Sequence, residues 1–187
     1  MTATPSTFGP SAIVTPANGV TLGRVLVTPL LLAWIVADGA SWRAEGLWFV
    51  LSLTDGIDGF LARRHGSTRS GAFLDPLADK FLVLGAMVCL VHIHEFSWVP
   101  VALIAAREIA MSVYRAVAAG RSGVSIPASR SAKLKTVVQD FAVAFAVWPG
   151  IGDHHPGVAR TVLWVAVALT LYTGAEYLKD ARRTHAL

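Results

Sequence analysis

The sequence of 187 residues has a single cysteine, Cys89, which excludes an internal disulfide and a cysteine-ligated metal site. Charge is scarce as well. Only 15% of the residues are Asp, Glu, Lys or Arg, against 54% hydrophobic ones, whereas a soluble domain carries about 25% charged residues. Residues 1–16 contain no Lys or Arg, and no apolar run precedes Thr15. The basic start and apolar middle of a cleaved signal peptide are therefore not expected. The net charge of +4 is not laid out as a binding stripe. Basic residues gather at boundaries between apolar runs, the pattern of membrane topology and not of a nucleic-acid face, so no nucleic-acid partner is expected. There is no internal repeat and no low-complexity segment.

What the chain does contain is apolar runs. A helix needs about 20 largely apolar residues to span a bilayer. The runs predict helices over about 19–37, 45–64, 72–93, 97–119, 131–149 and 158–180. The expected fold is all-α and integral to the membrane: six transmembrane helices in a single domain over 1–187, with 1–17 as a short N-terminal segment. Pro10, Pro16, Asn18 and Gly19 are expected to break the chain before the first helix. Pro149, Gly150, Gly152, Pro156 and Gly157 are expected to turn it before the last.

Basic residues set the orientation. The link between the second and third runs holds Arg63, Arg64 and Arg69 without an acid. The link between the fourth and fifth holds Arg115, Arg121, Arg130, Lys133 and Lys135, and the C-terminus holds Lys179, Arg182 and Arg183. The other links are poorer in basic residues and carry Asp38, Glu45, Glu95 and Asp153. The positive-inside rule then puts both termini and the two basic links in the cytoplasm. Trp34, Trp42, Trp48, Trp98, Trp148 and Trp164 fall in or near the opposite links and helix halves, as an outer aromatic belt would. His92, His94, His154 and His155 lie at that outer surface, and His65 and His185 lie elsewhere, so none is expected to bind metal with the aspartates.

Four carboxylates sit inside or at the inner ends of apolar runs: Asp55, Asp58, Asp75 and Asp79. A charge at membrane depth costs about 2.5–3.5 kcal/mol on insertion scales, so four need compensating cations. Spacings of three (Asp55, Asp58) and four (Asp75, Asp79) place each pair on one helix face. Lys80 and Arg63 are near, but one or two divalent cations fit better, and oxygen-only ligation suits Mg²⁺ or Mn²⁺ and not zinc. Gly59, Ala62 and Gly71 lie on or beside the Asp face and allow close approach of a ligand or helix. The alternative is an interhelical salt network.

The run Asp55-x-x-Asp58-Gly59-x-x-Ala62-Arg63, followed after seven residues by Gly71-x-x-x-Asp75-x-x-x-Asp79, resembles the signature of the CDP-alcohol phosphotransferases. Eight positions are specified across 25 residues. The resemblance implies six transmembrane helices around a cytoplasm-facing polar cavity, commonly in a homodimer within a bacterial plasma membrane. It implies that Asp55, Asp58, Asp75 and Asp79 hold two divalent ions, Mg²⁺ or Mn²⁺, on the diphosphate of a CDP-linked lipid, with Asp79 also the general base. Gly59, Ala62, Arg63, Thr68 and Gly71 correspond to CDP-contacting positions. Asn18-Gly19-Val20-Thr21 is similar to the family's first-helix element, which adds Asn18 and Thr21 to the CDP-lipid contacts. The family usually has Pro directly before that Asn, and here Pro16 stands one residue further back.

The acceptor should be read by the second basic region. Arg107 lies within an apolar run, Arg115 follows on nearly the same face, and Arg130, Lys133 and Lys135 lead into the fifth helix. These five are the candidate phosphate-binding residues, since Arg pairs with phosphate bidentately. The stretches LTDGIDGFLARR, STRSGAFLDPLADK, AAREI and IPASRSAKLKTVVQ are similar to the phosphatidylglycerophosphate-forming branch. That branch implies CDP-diacylglycerol as donor, sn-glycerol 3-phosphate as acceptor and CMP as leaving product, within a bed of membrane lipids. A sister acceptor specificity, as in cardiolipin or phosphatidylinositol-phosphate synthesis, is the runner-up. A prenyltransferase, an Asp-lined cation transporter and a non-catalytic scaffold are the readings from other classes.

Overall fold

The structure is a computed structural model that describes the backbone of residues 16–65, 69–122 and 130–184, and the side chains of 18–54, 74–114, 117 and 133–176. Among the described residues it is all-helical. Six long helices, α1 (Pro16–Asp38), α2 (Trp42–His65), α3 (Arg69–His92), α4 (Trp98–Ser122), α5 (Arg130–Val147) and α7 (Pro156–Thr184), are joined by one short helix, α6 (Pro149–Gly152).

Helix ends follow local chemistry. Pro16 does not break the chain before α1 but opens it, and Asn18 and Gly19 lie inside its first turn. A proline costs nothing there, because the first backbone N–H groups of a helix have no intrahelical partner anyway. Gly39, at φ +61°, closes α1 with its N–H on the Ile35 carbonyl. Ser41 then caps α2 by accepting the Ala44 N–H on its hydroxyl at 3.3 Å. His94 takes the left-handed conformation after α3 (φ +66°), which lets the Glu95 and Phe96 N–H groups reach the Leu90 carbonyl. The fifth helix, expected to reach 149, stops at Val147: Trp148 is extended and Pro149 starts α6.

Backbone and side-chain bonds tie one end of the bundle together. The Ser41 N–H donates to the Val147 carbonyl at 2.9 Å. Arg160 Nε donates to the Glu95 carbonyl at 2.8 Å. The links 39–41, 93–97 and 148–155 thus share an end, and the long helices alternate in direction. His92, His94, His154 and His155 are exposed there. α5 packs most closely on α7, and α1 lies against both α3 and α2. Gly85 of α3 lets Leu32 of α1 come close, since a Cβ there would lie 3.1 Å from Leu32 Cδ1.

Burial divides the bundle along its length. At the tied end the core is apolar: Leu31, Ile35, Trp48, Leu82, Met87, Leu90, Ile104, Val143, Val147 and Leu163 are all buried. In the other half the buried polar and charged residues are Asn18, Thr21, Arg24, Thr28, Glu108, Lys135, Gln139, Thr170 and Thr173. The outside reverses this pattern. Leu26, Phe49, Leu53, Val88, Ile109, Phe141, Trp164 and Leu171 are each more than half exposed, and large exposed apolar surfaces mark contact with something other than water. Two helical stretches, Asn18–Asp38 and Pro156–Glu176, are long and apolar enough to cross a membrane. Trp42 and Trp98 are exposed as a belt requires, but Trp48 is 2% exposed and belongs to the core. The belt expectation fails for that residue because Ala44, Trp48 and Leu51 form one buried stripe at helical spacing.

Gly152 closes the α6 corner against neighbouring backbone. A Cβ there would lie 2.3 Å from the Ala146 carbonyl oxygen and 2.8 Å from Ala40 Cβ. Gly152→Ala should therefore cost about 1–3 kcal/mol by overpacking, seen as a lower unfolding midpoint in detergent. Gly157→Ala, with open space around its site, should leave the midpoint unchanged.

Candidate active site

The polar half of the bundle is built by helix stripes. On α1, Asn18, Thr21, Arg24 and Thr28 follow one another at three- and four-residue steps, so all fall on the same buried face. Thr28 returns its hydroxyl to the Arg24 carbonyl at 2.8 Å, beside Pro29, which has no N–H to give. Across from this face, Asp75 and Asp79 are partly buried on one side of α3, four residues apart. Thr21 donates its hydroxyl to Asp75 Oδ1 at 2.7 Å. Thr21 was expected to contact the nucleotide. It is 1% exposed and committed to the carboxylate, which gives it the task of orienting Asp75.

Asp55, Asp58, Gly59, Ala62, Arg63 and Gly71 lie in α2 and α3, but their side chains, like Thr68 as a whole, fall outside what is described. Among the described residues there is no cluster of three or more His, Cys, Asp or Glu. The donor set expected for a metal is half described, by Asp75 and Asp79. These are oxygen donors on one face, and Thr21 holds Asp75 by one oxygen. They fit a hard divalent ion and would fit zinc poorly.

A second cluster joins α4, α5 and α7. Glu108, 7% exposed, accepts from two cations on the same oxygen, Oε1. One is Arg107 Nη1 at 3.0 Å, and the other is Lys135 Nζ. Arg107 Nη2 donates to Thr173 Oγ1 at 3.0 Å, and Gln139 Nε2 donates to Thr170 Oγ1 at 3.2 Å. Lys80 of α3, next to Asp79 in the chain, acts through space on both Glu108 and Lys135. Glu108 thus meets two cations with one carboxylate, and Arg107 Nε is buried without a hydrogen-bond partner.

Of the five residues expected to bind an acceptor phosphate, the structure brings Arg107 and Lys135 together. Lys133 is exposed and does not join them. Two residues amount to about 200° around a helix, so Lys133 and Lys135 cannot both face inward. The side chains of Arg115 and Arg130 lie outside what is described. Arg24, Glu108, Gln139, Thr170 and Thr173 were not among the expected site residues.

This arrangement can be set beside known proteins. The family model for CDP-alcohol phosphatidyltransferase matches residues 14–172. The chain belongs to that family. As a CDP-alcohol phosphatidyltransferase it is an enzyme of phospholipid biosynthesis, in keeping with the four-aspartate signature from Asp55 to Asp79. It is 42% identical over 172 residues, covering 87% of this chain and 92% of the other, to an Escherichia coli K12 protein named CDP-diacylglycerol–glycerol-3-phosphate 3-phosphatidyltransferase. It is 38% identical over 181 residues, covering 94% and 85%, to a Mycobacterium tuberculosis H37Rv protein named probable phosphatidylglycerophosphate synthase.

If Thr21 orients Asp75, Thr21→Val should raise the divalent-ion concentration needed for half-maximal turnover by about tenfold or more. Thr21→Ser, which keeps the donor, should stay close to the parent. Equal effects of the two substitutions would show that the hydroxyl is not what matters.

Proposed function

We propose that this phosphatidyltransferase moves a phosphatidyl group from CDP-diacylglycerol to sn-glycerol 3-phosphate, giving phosphatidylglycerophosphate and CMP. The names of the two relatives support this choice of substrates. The observation that carries the acceptor assignment is the pair of cations, Arg107 and Lys135, gathered on one carboxylate oxygen of Glu108. Their surplus positive charge suits a phosphate monoester, which carries about −1.5 to −2 at neutral pH, better than a phosphodiester such as phosphatidylglycerol.

In this reading the acceptor phosphate sits at Arg107 and Lys135, which aims its primary hydroxyl toward α3. Asp79 takes the hydroxyl proton as the oxygen attacks the lipid-side phosphorus. The bond from that phosphorus to the bridging oxygen breaks, and CMP leaves with the electron pair. Two divalent ions, Mg²⁺ or Mn²⁺, held by Asp55, Asp58, Asp75 and Asp79, would neutralise the diphosphate and the departing oxygen. Asn18, Gly59, Ala62, Arg63, Thr68 and Gly71 hold the CDP group, and Thr21 keeps Asp75 turned toward it. Such a reaction is won mainly by positioning and charge stabilisation.

The same reading places all six long helices across a bacterial plasma membrane, with both termini and the polar cavity on the cytoplasmic side. Exposed apolar side chains on every long helix support it, as do the basic residues at the polar ends. A water-soluble acceptor then reaches a lipid head group without crossing the bilayer. The family resemblance adds a homodimer.

Purified protein given CDP-diacylglycerol, sn-glycerol 3-phosphate and Mg²⁺ should release CMP, stop on chelation, and resume when Mg²⁺ or Mn²⁺ is returned. Asp79→Asn should lower turnover by about a hundredfold or more while the protein remains folded. CMP release with phosphatidylglycerol but not with glycerol 3-phosphate would move the chain to a sister specificity. Normal turnover by Asp79→Asn would remove Asp79 as base.

A further inference from the structure

Two cations brought from different helices into an apolar bundle repel each other, and each loses its hydration. Arg107 of α4 and Lys135 of α5 are nevertheless side by side, because both donate to Oε1 of Glu108. Two donors on one oxygen at ordinary lengths stand within about 6 Å of each other. The guanidinium is fixed a second time, by Nη2 on Thr173 of α7. Thr173 is itself 0% exposed, and its hydroxyl reaches the Leu169 carbonyl at 2.9 Å. Arg107 thus commits two of its N–H groups to the protein, and Lys135 commits one. A guanidinium has five N–H donors and an ammonium three, so most of the donors in this pair are left for an anion.

Surface ion pairs rarely carry such meaning, but this pair is neither exposed nor isolated. The Lys135 side chain is 3% exposed and that of Glu108 10%. Removing the carboxylate would leave two like charges buried without a counter-charge, the situation that costs most in a low-dielectric site. Glu108 cannot bind the anion itself, since it repels it. Its value lies in what it does to its neighbours.

We propose that Glu108 is a positioning residue for the acceptor: it gathers Arg107 and Lys135 onto one carboxylate oxygen so that both face a single phosphate group. The proposal rests on the acceptor reading above. It makes the charge of Glu108, and not merely its size, a determinant of affinity for the phosphate-bearing substrate.

Steady-state kinetics of the full-length protein in detergent, with each substrate varied in turn, provides the test. Glu108→Gln keeps the shape and removes the charge. It should raise KM for sn-glycerol 3-phosphate about tenfold or more, with KM for CDP-diacylglycerol unchanged within about twofold. The inhibition constant of inorganic phosphate against the acceptor should rise in parallel. Glu108→Asp, which restores the charge, should recover most of the loss. Thr173→Val frees Arg107 without altering any charge and should raise the same KM by about three- to tenfold; it carries the test if Glu108→Gln does not fold. An unchanged acceptor KM in the folded variants overturns the proposal. So does a parallel loss for both substrates with a lowered unfolding midpoint, which is what a purely structural residue would produce. If the parent enzyme itself releases no CMP with glycerol 3-phosphate, the substrate assignment fails instead, and the two failures are told apart at the first measurement.

Discussion

Glu108 lies where three helices have to agree. It receives Arg107 from its own helix and Lys135 from α5, and Arg107 in turn reaches Thr173 on α7. In an apolar medium helices gain little from hiding hydrophobic surface from one another, because the surrounding lipid is equally apolar. Neutral interhelical hydrogen bonds average about 0.6 kcal/mol in such settings. Stripping a buried charge of its partner costs about 3–5 kcal/mol. The second figure dominates, so the relative rotation of α4, α5 and α7 is set by this one carboxylate more than by any apolar contact in that half.

The opposite half obeys a different rule. Around Leu31, Met87, Leu90, Ile104 and Val143 the interior is apolar, and order comes from close packing, as where Leu32 meets Gly85 or where Gly152 touches the Ala146 carbonyl. Clips between links, Ser41 to Val147 and Arg160 to Glu95, tie this end together. The same six helices thus serve as a packed frame at one end and bury polar and charged side chains at the other. The frame holds the helix axes, and the polar half can then present carboxylates from α3 and cations from α4 and α5.

Much of this was legible in the sequence. Each long helix covers one apolar run, because apolarity over about 20 residues is a strong signal. The Asp75 and Asp79 pair on one face of α3 follows from helical spacing alone. What escaped has physical reasons. The four-residue α6 has no periodicity to betray it, and it exists because Pro149 can start a helix and Gly152 can enter a space closed to any Cβ. Arg24 stood alone in an apolar run, although its spacing from Thr21 and Thr28 marked a shared face. Gln139, Thr170 and Thr173 are ordinary residues in apolar helices, and their partners depend on how α5 and α7 are turned toward each other. Lys133 and Lys135 looked equivalent. The stripe Lys135, Gln139, Ala142, Ala146 shows which of them faces inward, and that stripe runs through uncharged positions that a reading focused on charge passes over. Trp48 was misjudged for the same reason, its type outweighing its place beside Ala44 and Leu51.

The Arg107 guanidinium takes its second hold from a residue 66 positions later in the chain. A ribosome adding about 5–20 residues per second needs several seconds to supply that partner after α4 has been made. Glu108 is the immediate neighbour of Arg107 and is available from the outset, so the arginine never travels as a bare charge. Placing the acid and the base side by side in one helix thus serves the nascent chain before it serves the finished enzyme: the charge of Arg107 is offset from the start, before α5 and α7 exist.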